Sequence, residues 1–126
     1  MESSGIRKRT VLLVEDHKFS LIALRMMLER MGIEVIPAEN GLEAVNICKL
    51  KNDLDLILMD LKMPVMDGYS AMLEIKKIRP GIRIIAETAY ALEGDERKIL
   101  EAGFDDYLAK PITIDILENT VRRNLA

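Results

Sequence analysis

The chain has 126 residues, of which 49% are hydrophobic and 31% charged, a balance that suits one globular domain with its own core. Its formal net charge of −3 gives no electrostatic case for direct nucleic-acid binding or for an anionic membrane surface. No apolar stretch approaches the roughly 20 residues of a membrane span, and the polar N-terminal segment lacks the apolar core of a secretory signal. We therefore expect residues 1–126 to form a single cytoplasmic domain without membrane insertion, frayed over residues 1–8.

Five short apolar segments have the composition of β-strands, and segments with helical spacing separate them. The strands are predicted near Thr10–Val14, Ile33–Ala38, Asp55–Asp60, Arg83–Glu87 and Asp106–Ala109. The first and third are nearly continuous runs of valine, leucine, isoleucine and methionine. Such runs are typical of strands that helices cover on both faces.

The first and last helical segments carry apolar stripes at helical spacing. The stripe of the first comprises Leu21, Leu24, Leu28 and Met31, with Met27 beside it, and that of the last comprises Ile114, Leu117, Val121 and Leu125. Gly32 is a natural stop for the first helix, and Pro80-Gly81 ends the third. We assign the methionine-rich set to core packing: Met26, Met27, Met31 and Met72.

The single cysteine, Cys48, lies in the apolar second helical segment. One cysteine excludes an intrachain disulfide and a cysteine-rich zinc site, and it fits a reducing compartment. A buried, inert thiol is the expected role.

Strands joined by single helices imply right-handed crossovers and therefore a parallel sheet. The predicted fold is α/β, a three-layer doubly wound (βα)5 arrangement. In such sheets, ligands bind at the carboxyl ends of the strands, where the strand order reverses. The sequence places four polar residues at such ends: Asp16, Asp60, Thr88 and Lys110.

Acidic residues gather at the ends of the first and third strands. Crowded carboxylates repel one another unless a cation is present, and hard oxygen ligands favour Mg²⁺ or Mn²⁺ over zinc. We expect Asp16 and Asp60 to bind the ion directly and Glu15 to bind it directly or through water. The backbone carbonyl of Lys62 is within reach of the same ion.

An in-line phosphoryl transfer needs a carboxylate nucleophile, a metal and a lysine for the remaining charge. Asp60 fits the first role, Lys110 fits the last, and Thr88 offers a hydroxyl to a third oxygen. Each residue also has a structural explanation of its own, since Glu15-Asp16 suits a helix cap and an aspartate after a strand suits a turn. Their joint placement at the ends of strands 1, 3, 4 and 5 favours a functional site.

Four segments resemble the receiver domain of two-component response regulators, and the resemblance runs from Arg9 to the end of the chain. The segments are Val-Leu-Leu-Val-Glu15-Asp16, Met59-Asp60-Leu-Lys-Met63-Pro64-Val-Met66-Asp67-Gly68, Ala86-Glu87-Thr88-Ala89-Tyr90-Ala91 and Gly103-Phe-Asp-Asp-Tyr107-Leu-Ala-Lys110-Pro111. The resemblance implies a flavodoxin-like five-stranded sheet in the order 2-1-3-4-5.

The resemblance also implies a function. Asp60 would accept a phosphoryl group from a phosphohistidine on a sensor histidine kinase or a histidine phosphotransfer protein, in a Mg²⁺-dependent step of a phosphorelay. Lys110 and Thr88 would contact the acyl phosphate, and Thr88 would move inward to vacate space for Tyr107. Partners would read the face of helix 4, strand 5 and helix 5, which could also form a weak homodimer. Such a domain catalyses its own phosphorylation and dephosphorylation and has no separate enzymatic output.

Four residues near the predicted site have interpretations of their own. Glu87 occupies a strand position where receivers usually carry an apolar or uncharged residue, so its carboxylate must reach solvent or a cation. Lys62 and Tyr90 flank the expected phosphoryl position and would modulate its chemistry. A bulky Tyr90 would obstruct an attacking water, and we hypothesise slow autodephosphorylation; the alternative is Tyr90 as surface filler. His17 is expected to be a partly exposed residue of the first helical turn rather than a ligand.

Three other classes of protein are alternatives to a phosphoacceptor receiver. A non-phosphorylated pseudo-receiver would act by docking alone, but it has no need of the complete set of site residues. A haloacid-dehalogenase-type phosphohydrolase places a second aspartate where this chain has Lys62. A flavodoxin needs a phosphate loop rich in glycine and hydroxyl groups, and the segment after strand 1 is Glu15-Asp16-His17-Lys18. The chain is either a stand-alone protein or the receiver of a hybrid sensor kinase, which two of the quoted segments resemble.

Overall fold

A computed structural model describes residues 8–89 and 95–126. Strands and helices alternate along the chain: β1 (Thr10–Val14), α1 (Lys18–Arg30), β2 (Glu34–Ala38), α2 (Gly41–Leu50), β3 (Leu56–Asp60), α3 (Gly68–Ile78), β4 (Ile84–Thr88), α4 (Asp95–Ala102), β5 (Asp106–Ala109) and α5 (Ile114–Leu125). All strand pairs are parallel, and their order is β2-β1-β3-β4-β5. The predicted fold and strand order are confirmed. Within the described ranges, no helix has both the length and the apolar character to cross a bilayer.

The sheet is the middle layer, and a hydrophobic cluster fills each of its faces. Successive side chains of a strand point to opposite faces, so Leu12 and Val14 join one cluster and Val11 and Leu13 join the other. The first cluster packs under α2, α3 and α4, and it includes the buried Cys48. The second packs under α1 and α5. Every residue of β1, β3 and β4 is buried, as the continuous apolar runs of β1 and β3 predicted.

Helix α1 buries one side and exposes an apolar stripe on the other. Leu24 and Leu28 are buried against the sheet, and Gly32 follows the helix with a φ of 82°, a left-handed conformation that favours glycine. Phe19, Ile22 and Met26 are exposed. The assignment of Met26 to the core is therefore wrong. Met26 follows the buried Leu24 by two positions, and residues at that spacing lie on different sides of a helix.

Two glycines let helices approach the loop after β3 closely. A Cβ on Gly68, at the start of α3, would lie 2.4 Å from the carbonyl oxygen of Asp60. A Cβ on Gly41, at the start of α2, would lie 2.4 Å from the carbonyl oxygen of Met66. The amides of both glycines donate to this loop, Gly68 to Leu61 O at 3.0 Å and Gly41 to Met66 O at 3.2 Å. The backbone that follows Asp60 is thus held from two sides.

Asp106 ties the last turn of α5 to the beginning of β5. Its Oδ2 accepts hydrogen bonds from Asn124 Nδ2 at 2.9 Å and from Arg123 Nη2 at 2.9 Å. Asn124 Oδ1 in turn accepts one from Arg83 Nε at 2.8 Å. Burial alone would raise the pKa of Asp106, but the hydrogen bonds from Asn124, from the Tyr107 amide and from Arg123 outweigh it and lower the pKa.

Substituting Asp106→Asn should lower the free energy of unfolding at pH 7 by about 1 kcal/mol, because charge-assisted hydrogen bonds become neutral ones. A lowered native pKa means that this contribution is complete above the ordinary value of 3.8 and is lost as the pH falls through the native value. Urea unfolding at several pH values should therefore show the wild-type advantage shrinking in acid. Asp53→Asn, at an exposed acid, is the control. If the difference in free energy of unfolding between wild type and Asp106→Asn grew as the pH fell, this role of Asp106 would be contradicted.

Candidate functional site

Three carboxylates converge where β1 and β3 end side by side. One oxygen each of Glu15, Asp16 and Asp60 lies within 4.8 Å of the others, a spacing that could hold a metal ion. Glu15 is 1% exposed and Asp60 is 6% exposed, whereas Asp16 faces solvent. The structure therefore brings together the acidic residues that the sequence placed at these strand ends. It does so because parallel neighbours end at the same edge of the sheet.

Lys110 approaches this cluster from the end of β5. Its Nζ lies 3.5 Å from Asp60 Oδ2 and 3.6 Å from Glu15 Oε1. Burial alone would lower the pKa of Lys110, but attraction to Asp60, Glu15 and Glu87 outweighs it and raises the pKa. The lysine is therefore an ammonium ion shared between two carboxylates. The peptide bond that follows it, Lys110–Pro111, is cis.

Glu15 is short of hydrogen-bond donors. Its Oε2 accepts from the His17 amide at 3.1 Å, whereas its Oε1 receives no hydrogen bond from the described residues. Burial and then repulsion by Asp60 raise the pKa of Glu15. A buried carboxylate oxygen beside two further acids fits a hard divalent cation such as Mg²⁺ or Mn²⁺, which prefers oxygen ligands.

The cap of α1 is His17, not the acidic pair before it. The Nδ1 atom of His17 accepts from the Ser20 amide at 3.3 Å, and His17 is exposed. The capping explanation of Glu15-Asp16 is therefore wrong, because the helix begins one residue too late for it. Both acids are left for the cluster.

The other predicted site residues that the structure describes lie around Asp60, and some of them line a cleft with it. The amide of Lys62 donates to Asp60 Oδ1 at 3.3 Å, and Thr88 is a nearly buried residue at the end of β4. Lys62, Thr88 and Lys110 line the same cleft as Asp60. Tyr107 is half-buried on β5, and burial and then the nearby Glu96 carboxylate of α4 raise the pKa of its hydroxyl group. Tyr90 lies outside the described residues, so the hypothesis about phosphoryl lifetime stays a prediction.

Glu87 is a fourth acid at this end of the sheet. It pairs in register with Asp60 on β3 and with Leu108 on β5. It is 0% exposed, and neither carboxylate oxygen receives a hydrogen bond from the described residues. Burial and then repulsion by Glu15 raise the pKa of Glu87 well above its ordinary value. Of the two environments that the sequence allowed for Glu87, the structure excludes solvent.

Comparisons with known proteins agree with this arrangement. A family model described as the response regulator receiver domain matches residues 11–122. Sensor protein GacS of Pseudomonas syringae pv. syringae is 39% identical over 112 residues, which are 85% of this chain and 12% of GacS. The response regulator DivK of Brucella anthropi is 34% identical over 120 residues, which are 93% of this chain and 96% of DivK. The chain thus spans a small part of the sensor proteins and nearly all of DivK.

Two solved structures are similar as well. One is the receiver domain of sensor histidine kinase PA1611 from Pseudomonas aeruginosa PAO1, with a magnesium ion coordinated in its active site cleft. It is 38% identical with a TM-score of 0.86, and the match covers 94% of this chain and 98% of that one. The other is a chain of the CheX-CheY-BeF3-Mg complex from Borrelia burgdorferi. It is 26% identical with a TM-score of 0.88, and the match covers 94% of this chain and 90% of that one.

Proposed function

Since the chain belongs to the response regulator receiver domain family, we propose that it is a phosphoacceptor switch whose acceptor is Asp60. The observation that supports this most directly is the position of the Asp60 carboxylate. It belongs to an acidic cluster suited to a cation, and it lies 3.5 Å from the ammonium of Lys110. These are the parts that an in-line phosphoryl transfer requires.

The phosphoryl group would come from a phosphohistidine on a sensor histidine kinase or a phosphotransfer protein. An oxygen of Asp60 forms the new bond to phosphorus, the phosphorus–nitrogen bond breaks, and its electron pair stays on the imidazole. Asp16, Asp60, the Lys62 carbonyl and, directly or through water, Glu15 would hold the cation. When bound, Mg²⁺ neutralises charge on the phosphoryl oxygens. Lys110 would balance the charge of a further oxygen.

The switch would run from Thr88 to Tyr107. Thr88 ends β4 beside the cleft and would bind a phosphoryl oxygen through its hydroxyl group. Its inward movement would make room for Tyr107, which would move away from the Glu96 carboxylate. Glu96 lies on α4 and Tyr107 on β5. The movement of Tyr107 would therefore change the face formed by α4, β5 and α5. Partners, including a second copy of the chain in a weak homodimer, would read this face.

The same chemistry applies in either cellular setting of the domain. The relatives include sensor proteins that carry a matching segment and DivK, which matches over nearly its whole length. We propose that residues 1–126 act as one receiver domain in the cytoplasm. The alternative, a pseudo-receiver that only docks, gains no support from a site in which Asp60 and Lys110 lie 3.5 Å apart.

The direct test is incubation with acetyl phosphate and MgCl₂, followed by intact-mass measurement. We expect the mass to rise by one phosphoryl group, and peptide mapping should locate the group on Asp60. Chelation with EDTA before the phosphodonor is added should prevent the increase, because the carboxylates then repel the incoming phosphate. A protein that stays unmodified, while an active receiver is modified in the same buffer, would contradict the proposal.

A further inference from the structure

The cleft that contains Asp60 extends beyond the acidic cluster as far as α4. It encloses about 1140 Å³, and α4 contributes Asp95, Lys98 and Ile99 to its lining. A phosphoryl group fills a small part of such a volume, since cavities of about 300 to 1,000 Å³ hold whole drug-sized ligands. A phosphodonor therefore passes side chains that the proposed transfer does not use, and their charges act on it before it reaches Asp60.

The charged side chains of this cleft are of both signs. Its described lining includes four aspartates and three lysines, namely Asp16, Asp60, Asp67, Asp95, Lys62, Lys98 and Lys110. A phosphodonor is an anion, so the aspartates repel it and the lysines attract it. The Nζ atom of Lys110 lies 3.5 Å from Asp60 and 3.6 Å from Glu15, and these two carboxylates offset its charge. Lys110 alone therefore attracts a distant anion only weakly.

Lys98 has no such carboxylate partner. It is exposed, and it forms no hydrogen bond or ion pair with any residue that the structure describes. The adjacent Arg97, by contrast, lies 3.8 Å from Glu101. Asp95 precedes Lys98 by three positions, which places both on the same side of the helix, and both line the cleft. Loss of the lysine would thus leave the negative charge of Asp95 unopposed on the part of α4 that faces the cleft.

We propose that Lys98 determines which phosphodonors the site prefers, because its charge attracts the donor into the cleft and favours donors of higher negative charge. Charges that line a concave site raise the local concentration of an oppositely charged substrate and its rate of entry. Lys98 would act on the approach of the donor, whereas Lys110 acts at Asp60 itself. The inference deepens the proposed function and rests on it, since it concerns the donor from which Asp60 takes its phosphoryl group.

The test compares Lys98→Gln with the wild type, using acetyl phosphate as a dianionic donor and phosphoramidate as a monoanionic donor at neutral pH. Intact-mass measurement over time gives the second-order rate constant of phosphorylation at saturating Mg²⁺ and low ionic strength. We expect this constant to fall about two- to fivefold with acetyl phosphate. With phosphoramidate it should fall by about the square root of that factor, because the Coulomb energy is proportional to the charge of the donor. In about 0.5 M KCl both losses should largely disappear, since salt screens exposed charges.

Two further variants serve as controls. Lys98→Arg keeps the positive charge and should retain the wild-type rate constants with both donors. Lys49→Gln removes an exposed lysine of α2 that lines a different groove, and it should also react as the wild type does. A wild-type rate constant for Lys98→Gln with acetyl phosphate would overturn the proposal. Equal losses with the two donors, or a loss that persists in high salt, would also overturn it, because they would assign Lys98 a structural role.

The outcome is separable from that of the proposed function. A wild-type chain that takes no phosphoryl group from either donor would contradict the acceptor role of Asp60, and with it any role of Lys98 in donor entry. A wild-type chain that is phosphorylated on Asp60, with rate constants that Lys98→Gln leaves unchanged, would overturn the present inference alone.

Discussion

Asp60→Asn should abolish phosphoryl uptake from acetyl phosphate, lowering the rate by at least about a thousandfold, as removal of a nucleophile does. An amide nitrogen replaces one carboxylate oxygen, and the remaining carbonyl oxygen is a poor nucleophile toward phosphorus. The variant also loses the negative charge 3.5 Å from Lys110 and a member of the acidic cluster. Intact-mass measurement over time at saturating Mg²⁺ gives the rate.

A matched control lies in the same loop. Asp67 caps α3 by accepting a hydrogen bond from the Ser70 amide at 2.8 Å. Asp67→Ser removes an acid close to the acceptor but keeps a capping side chain, so its phosphorylation rate should stay near that of the wild type. Uptake by Asp60→Asn at the wild-type rate would place the acceptor elsewhere. An equal loss of phosphorylation rate in Asp60→Asn and Asp67→Ser would indicate a general effect of negative charge.

Gly68→Ala should destabilise the fold by about 2 to 3 kcal/mol, although glycine to alanine within a helix is ordinarily stabilising. The added Cβ would lie 2.4 Å from Asp60 O and 2.9 Å from the Leu61 Cα. Both are backbone atoms, so no side-chain rotation relieves the contact, and α3 has to move away from the end of β3. Urea unfolding of the purified variant measures the loss.

Gly81→Ala is the control, because a Cβ there meets nothing within 4 Å. It should change the free energy of unfolding by no more than about 1 kcal/mol. A Gly68→Ala protein as stable as the wild type would show that α3 is not held against the strand end. Since the clash falls on the residue that carries the proposed acceptor, Gly68→Ala should also slow phosphorylation, whereas Gly81→Ala should not.

Much of the fold was predictable because its strands are short, apolar and bounded by polar segments. The residues of β1 and β5 were predicted to their ends. The strands β2 and β3 begin one residue later than predicted, and β4 both begins and ends one residue later. The convergence of Glu15, Asp16, Asp60 and Lys110 followed from a parallel sheet, whose strands end at a common edge. The order of the strands did not follow from composition, since helical crossovers permit several orders, and it was implied by the resemblance alone.

The sequence could not predict features that depend on contacts between residues distant from each other in the chain. The confinement of Glu87 requires the register of β4 against β3 and β5, which no local pattern encodes. The hydrogen bond from Asn124 to Asp106 likewise joins residues that are far apart in the chain. The cap of α1 was missed for another reason. The acidic pair has better capping propensity than His17, but the chain uses those acids at the strand end.

The anchoring of α5 by Asp106 has a mechanical consequence. The tie holds the last turn of the helix at the beginning of β5, whereas Lys110 and the start of the helix lie at the far end of the same strand. A displacement at Lys110 would therefore swing the beginning of α5 about a fixed pivot at its end, instead of sliding the helix along the sheet. The exposed side chains of Ile114 and Ile116 would undergo the largest displacement, because they lie next to the strand end where the motion starts.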